Sequence, residues 1–193
     1  MDQETNILLI RAKSGSSDAM SQLFERVAPR LLALIRLRMG SSLRNRLESR
    51  DILQISMMKA FERLGQLKGG STNSFMAWLA RIADNEIRDQ AEFHGRQRRD
   101  MALDVVPEDG DDRALQAQVH SQISQVILSD ELKRLEQALE TLESDYREII
   151  LLRKYEELPF NEIAKRLGKS PDACRMLLVR AMTALTLKLK ELP

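Results

Sequence analysis

The chain of 193 residues has one cysteine, Cys174, so no intramolecular disulfide can form, and its cysteine usage gives no sign of an oxidising compartment. Aromatic residues are 4% of it, and cores of Leu, Ile, Met and Ala with so few rings suit helix packing better than sheets. No segment alternates apolar and polar residues over the length of a strand. No stretch approaches the ~18 uninterrupted apolar residues of a membrane span. The beginning, MDQETNILLIRAK, is acidic ahead of its short apolar run and so is not a signal peptide. A cytoplasmic protein without membrane insertion is the expectation. His94 and His120 are far apart and lack companion ligands, so no metal site is expected. Gly69-Gly70 lacks the lysine of a phosphate-binding loop, and no Ser-His-Asp set or carboxylate pair supports catalysis. Neither a cofactor nor enzymatic activity is expected.

What the chain has is charge, unevenly placed. Apolar residues are 43% and charged residues 31%, the balance of a globular protein, and the net charge is only +1. Residues 1–100 nevertheless hold 17 Lys/Arg against 12 Asp/Glu, and residues 160–193 hold 7 against 3. Residues 101–129 and 130–159 are each acidic, by four charges. Two basic segments around an acidic middle fit two contacts with a polyanion, or simply solvated helix faces. Residues 101–115, MALDVVPEDGDDRAL, have Pro, Gly and clustered acids without helical period and read as a linker. Val119, Ile123, Val126 and Ile127 allow a short helix behind it. The organisation expected is all-α: a domain over 1–100, a flexible acidic linker over 101–129, and a second small helical domain over 130–193.

The first domain reads as successive helices. Thr5 is the expected N-cap of the first and Gly15 its stop; Ser17 caps the second, which Gly40 ends and Pro29 can kink. Met20, Leu23, Phe24, Val27, Leu31, Leu34 and Ile35 recur at three and four along it. Ser49 caps SRDILQISMMKAFERLG, and Gly65 closes it. The polar turn GGSTNS then leads to Ser74, the expected cap of FMAWLARIADNEIRDQAEF. Phe75, Trp78, Leu79, Ile82, Ala83 and Ile87 form the core stripe of that helix, with Arg81, Asn85 and Arg88 interleaved and Arg96, Arg98 and Arg99 beyond. Arginine forks suit phosphate, and an asparagine amide can meet a base edge. Trp78 is either core or a platform for an unstacked base.

In the second domain, FNEIAKRLGKSPDACRMLLVRAMTAL reads as two helices three residues apart. Phe160, Ile163, Ala164 and Leu167 face inward on the first; Gly168 ends it in a left-handed turn; Ser170 caps the second and Pro171 fills its first turn. Ala173, Leu177, Leu178 and Ala181 are expected to face the core, leaving Arg175 and Arg180 outside, and Cys174 is read as a small buried hydrophobe. Ser144 or Asp145 is the expected cap of a helix ahead of them. The pair is a helix–turn–helix whose second helix can enter a major groove, or an αα-hairpin without a DNA role.

These strings resemble, in order and over nearly the whole chain, a sigma factor of the sigma-70 family in its minimal extracytoplasmic-function group. RAKSGSSDAMSQLFERVAPRL is similar to the group's opening region, DILQISMMKAFERL to its polymerase-binding helix, and SFMAWLARIADNEIRD to its Phe-x-x-Trp-Leu-x-x-Ile-Ala-x-Asn string. LETLESDYREIILLRKYEELPFNEIAKRLGKSPDACRMLLVRAMTAL resembles its fourth region. The resemblance implies binding to core RNA polymerase through Asp51, Gln54, Met58 and Phe61. It implies capture of a melted −10 promoter element by Asn73, Ser74, Trp78, Arg81, Asn85 and Arg88, with the GGSTNS loop. It implies reading of the −35 duplex by Lys169, Ser170, Asp172, Arg175, Met176 and Arg180. An anti-sigma factor wedged between the domains is the common inhibitor of such proteins. Ile55 stands where an acid often follows the glutamine, and Ala173-Cys174 and Met176-Leu177 replace the usual recognition-helix residues, so the likeness gives the role and not the promoter sequence. A two-domain DNA-binding regulator that never meets polymerase, and a helical scaffold with incidental basic faces, are the rival readings.

Overall fold

The computed structural model describes residues 3–45, 47–67, 72–97 and 130–192, and the regular elements among them are all helical. Before residue 98 lie α1 (Gln3–Lys13), α2 (Ser17–Arg44), α3 (Ser49–Arg63) and α4 (Thr72–Gln97). From residue 130 follow α5 (Asp130–Glu140), α6 (Ser144–Ile150), α7 (Phe160–Leu167) and α8 (Pro171–Glu191). The expected linker over 101–115, the helix within 116–129, Gly69-Gly70, His120, and the side chains of His94, Arg96, Arg98 and Arg99 fall outside the described residues. Among the described residues no helix is long and apolar enough to cross a membrane.

The first domain is built on α2, which packs against α1, α3 and α4. Its expected apolar row is its buried face: Leu23, Val27, Leu31, Leu34 and Ile35 are excluded from solvent and Phe24 nearly so, with Met20 half-buried. Phe75, Leu79, Ile82 and Ala83 of α4 close the core from the other side. Pro29 sits inside α2 without breaking it, and the departure from helical geometry falls at Gly40, with φ 65° and ψ 164°. A left-handed φ is open to glycine because it has no Cβ, and the chain resumes one further turn to Arg44.

Five expected caps shift. Thr5 is buried inside α1, which already runs from Gln3. Ser16, not Ser17, caps α2, accepting from the Ala19 amide at 3.3 Å. Glu48 takes the cap position of α3 with its carbonyl, leaving Ser49 buried as the first helical residue. Glu143 precedes α6 in the same way, so neither Ser144 nor Asp145 caps it. Ser74 lies within the first turn of α4, because the helix starts at Thr72. Serine clusters offer several equivalent hydroxyls at a helix start, and which one is used depends on where tertiary packing fixes the first turn. Gly65 lies in a 3₁₀ turn, Leu64–Gln66, that carries the chain out of α3.

The second domain holds a surprise in the run Ile149-Ile150-Leu151-Leu152. Four consecutive residues on an α-helix spread around some 300° of its circumference and cannot share one face. All four are buried here, because the segment is covered by α8 on one side and meets α2 on the other. The helix widens into a π turn over Leu151–Tyr155, with the Glu156 amide bonded five residues back to Leu151. The hairpin that follows is as expected. Gly168 ends α7 at φ 62° and ψ 33°, and Ser170 caps α8 by accepting from the Ala173 amide at 3.1 Å, with Pro171 in the first turn. Ile163 and Ala164 are buried and Phe160 and Leu167 half-buried, the predicted inner side of α7.

Candidate functional site

Three exposed helix faces carry the residues singled out above. On α3, Asp51, Gln54, Met58 and Phe61 fall at intervals of three, four and three, which is one stripe on a 3.6-residue helix. Ile52, Leu53, Ser56 and Ala60 occupy the opposite, buried side. Met58 is 58% exposed and Phe61 60% exposed, two large apolar side chains left uncovered among the described residues. Partial burial, and then the charge of Glu48, raise the Asp51 carboxyl above the ordinary range.

The second face repeats that spacing on α4: Trp78, Arg81, Asn85 and Arg88. Arg81, Asn85 and Arg88 are exposed. Among the described residues Arg81 and Arg88 have no carboxylate partner. Trp78 serves both readings allowed by the sequence: it is half-buried against the core, with its ring centroid 6.0 Å from that of Phe75, and keeps an outward part beside this cationic row. Asn73 and Ser74 belong to the first turn of the same helix. Beneath the row, Glu86 is buried and accepts from Lys59 and from Gln90, which ties α3 to α4; these bonds outweigh its burial and lower its pKa. The two faces are therefore held in fixed relation.

The third face is on α8. Lys169 reaches Asp145 at 3.2 Å, and the Ser170 hydroxyl is engaged as the helix cap. Asp172 accepts from Arg175, whose guanidinium also lies over the Phe160 ring at 5.4 Å. Met176 and Arg180 point outward, Arg180 without an ion-pair partner among the described residues. The inward phase of α8 differs from the expectation at one place. Ala173 is exposed, whereas Cys174 is fully buried as expected, so the inner row is Cys174, Ala181 and Leu185. That phase turns Val179 outward at 59% exposure next to Met176 and Arg180, a surface residue that sequence reasoning did not select. Arg153, also unselected, lies 4.9 Å over the same Phe160 ring that Arg175 approaches. Cys174 itself was the available signal: it falls four before Leu178 and seven before Ala181, and taking it as core sets the phase.

Sequence reasoning also passed over the arginines of α2. Arg30, Arg36, Arg38 and Arg44 lie among the aliphatics of that helix and each reaches an acidic residue of the second domain. Their partners are 92 to 127 residues away, beyond any local pattern.

Comparison with known proteins covers both domains. The family description "Sigma-70 region 2" matches residues 23–99, and "Sigma-70, region 4" matches residues 132–185. The RNA polymerase sigma factor CarQ of Myxococcus xanthus is 33% identical over 183 residues, 94% of this chain and 95% of that protein. The ECF RNA polymerase sigma-E factor of Salmonella typhimurium is 26% identical over 187 residues, 96% of this chain and 94% of that protein. Among solved structures, CnrH in complex with the cytosolic domain of CnrY is similar in fold, with a TM-score of 0.57 at 23% identity over 98% of this chain and 99% of that one. So is the sigma factor RpoE of Bartonella quintana in complex with the anti-sigma factor NepR, with a TM-score of 0.54 at 24% identity over 88% of this chain and 95% of that one.

Proposed function

The chain belongs to the sigma-70 family of RNA polymerase sigma factors, in its extracytoplasmic-function group, which implies polymerase binding and promoter-directed initiation; from that premise we propose how its three faces divide the work. Residues 1–100 form the domain that binds core polymerase and the −10 element, residues 130–193 the domain that binds the −35 element, and residues 101–129 the connection. Asp51, Gln54, Met58 and Phe61 dock on core polymerase. Lys169, Ser170, Asp172, Arg175, Met176 and Arg180 meet the −35 duplex, and Asn73, Ser74, Trp78, Arg81, Asn85 and Arg88 meet the melted −10 strand. The observation that carries this division is the pair of exposed cationic rows, one on α4 and one on α8, on separate domains. An anti-sigma factor is a further proposed partner, of the kind that NepR is for RpoE.

The chemistry at each row differs. Helix α8 begins at a capped N-terminus, and the first turns of such a helix meet base edges in the major groove. Arg175 reads there, which requires it to exchange Asp172 for a base. A bidentate contact to guanine discriminates by about 1–3 kcal/mol. Arg180 lies further along the helix and meets phosphate, which weakens all sequences alike when lost. Arg175→Ala will therefore relax the preference selected from randomised −35 duplexes by the full chain in holoenzyme, and Arg180→Ala will lower affinity, and the salt slope by about one, with the preference unchanged. Loss of affinity without change of selected sequence in Arg175→Ala would move the readout to Met176, Asp172 or Lys169.

On α4 the substrate is single-stranded. Unstacking a base costs a few kcal/mol, which stacking on Trp78, amide contacts from Asn85 and phosphate contacts from Arg81 and Arg88 offset. Asn85 acts only once the strand has opened. In Asn85→Ala, permanganate reactivity of the −10 thymines will fall several-fold more than closed-complex binding does. Equal loss at both stages would count against the melted-strand role.

A further inference from the structure

Two arginines meet one aromatic ring in the helix–turn–helix. Phe160 is the first residue of α7, and Pro159 ahead of it sits at φ −67° and ψ 152°. The pyrrolidine ring fixes that φ, so the backbone leading into Phe160 is stiff. Arg153 lies 4.9 Å over the Phe160 ring and donates to the Leu158 carbonyl at 2.9 Å, which ties the π turn to the entry of α7. Arg175 approaches the same ring from α8, with its guanidinium carbon 5.4 Å from the centroid. Phe160 is half-buried against the core, whereas Arg175 is exposed.

The surroundings of the two outward arginines of α8 differ in kind. Arg175 donates to Asp172, one turn back on its own helix, and lies over Phe160 of the neighbouring helix. Arg180 has neither an ion-pair partner nor a ring beneath it among the described residues. Fixing a long side chain on a base edge costs rotamer freedom. Freedom already given up in the free protein is not lost a second time on binding. Asp172 and Phe160 both restrict Arg175, but they do so differently. The carboxylate occupies N–H donors that a guanine edge needs, so it must leave. The ring meets the flat face of the guanidinium and uses none of its N–H donors, so it can stay.

We propose that Phe160 is a positioning residue for −35 readout: its ring holds the plane of the Arg175 fork in the free protein and keeps hold of it when a guanine edge takes the place of Asp172. The proposal rests on the assignment of Arg175 as the base-reading residue of α8. It gives a physical reason for the division between the two arginines. Arg175, placed beforehand, discriminates between bases, and Arg180, free to move, follows whichever phosphate comes near. Phe160 itself needs to touch no base.

Two measurements on the full chain test this. In ¹H–¹⁵N spectra of the free protein the Arg175 Nε proton will be shifted upfield by the ring current of Phe160. The shift will persist in Phe160→Tyr, which keeps the ring, and vanish in Phe160→Leu, which keeps only apolar bulk. Holoenzyme affinities are then compared for two promoters that differ only at the −35 base pair whose preference Arg175→Ala relaxes. Phe160→Leu will narrow that preference about two- to fivefold, the worth of an exposed cation–ring contact. It will do so by weakening the preferred promoter and leaving the other unchanged, because a duplex without that base makes no use of the fork. Phe160→Tyr will keep the preference, and in the Arg175→Ala background Phe160→Leu will narrow it no further. A ring that serves only as packing would instead weaken both promoters equally in either background. That result, an unchanged preference in Phe160→Leu, or an Arg175 proton without the upfield shift in the unaltered protein, overturns the positioning role and leaves Arg175 as the reader. If Arg175→Ala relaxes no −35 base pair, the assignment of base readout fails and the positioning role fails with it.

Discussion

Replacing Met58 and Phe61 together by alanine will weaken binding to core RNA polymerase about a hundredfold and leave folding stability within about 0.5 kcal/mol. Both side chains are more than half exposed, so their removal opens no cavity in the first domain. Alanine is the strongest helix former, so α3 is not weakened by the change. Large exposed apolar residues aligned on one stripe are unusual unless something covers them, and apolar anchors at the centre of an interface cost more than about 1 kcal/mol each when truncated. Two such losses of about 1.4 kcal/mol already amount to a hundredfold. Asp51 and Gln54 flank the stripe as polar contacts, and their joint replacement by alanine will cost less. A pull-down titration against core enzyme measures both. Unchanged affinity in the Met58/Phe61 variant would remove α3 from the polymerase interface.

Glu156→Ala will lower stability by about 3–5 kcal/mol, the cost of taking one partner from a buried ion pair. The residue has no solvent exposure and accepts from Arg38 at 2.5 Å and Arg166 at 2.9 Å. Arg166 is left without its carboxylate, and Arg38 keeps only Asp84 and Glu148. With a urea slope of about 2 kcal/mol per molar, the unfolding midpoint will fall by roughly 1.5–2.5 M. Glu156→Gln will fall less, since its amide oxygen still accepts one bond. A shift as small as that of an ordinary surface substitution would mean that Glu156 is not the counter-ion its position indicates.

Much of this protein is local and could be read as such. The turn between α7 and α8 follows from Gly168, Ser170 and Pro171, three neighbours whose backbone preferences and hydrogen-bonding needs are met within a few residues. The rows on α3 and α4 follow from helical period alone, since the apolar residues that must be buried leave a single side for the rest. The caps that shifted, Ser17, Ser49, Ser74 and Ser144, are cases in which neighbouring residues offered nearly equal local solutions, and packing chose among them.

The amino-acid sequence by itself determined the helices, the helix–turn–helix and the exposed stripes of side chains on α3 and α4, because each depends on interactions no more than a turn or two apart. Only the tertiary structure decided that Ala173 faces outward on α8, the π turn that lets Ile149 to Leu152 be buried together, and the pairing of the α2 arginines with Glu136, Glu140, Glu148, Glu156 and Glu157. A charged side chain in a sequence carries no mark of its partner when the partner is about a hundred residues away. Its pairing is set by which faces the packed helices bring together, and the electrostatic gain appears only once water has been displaced from both.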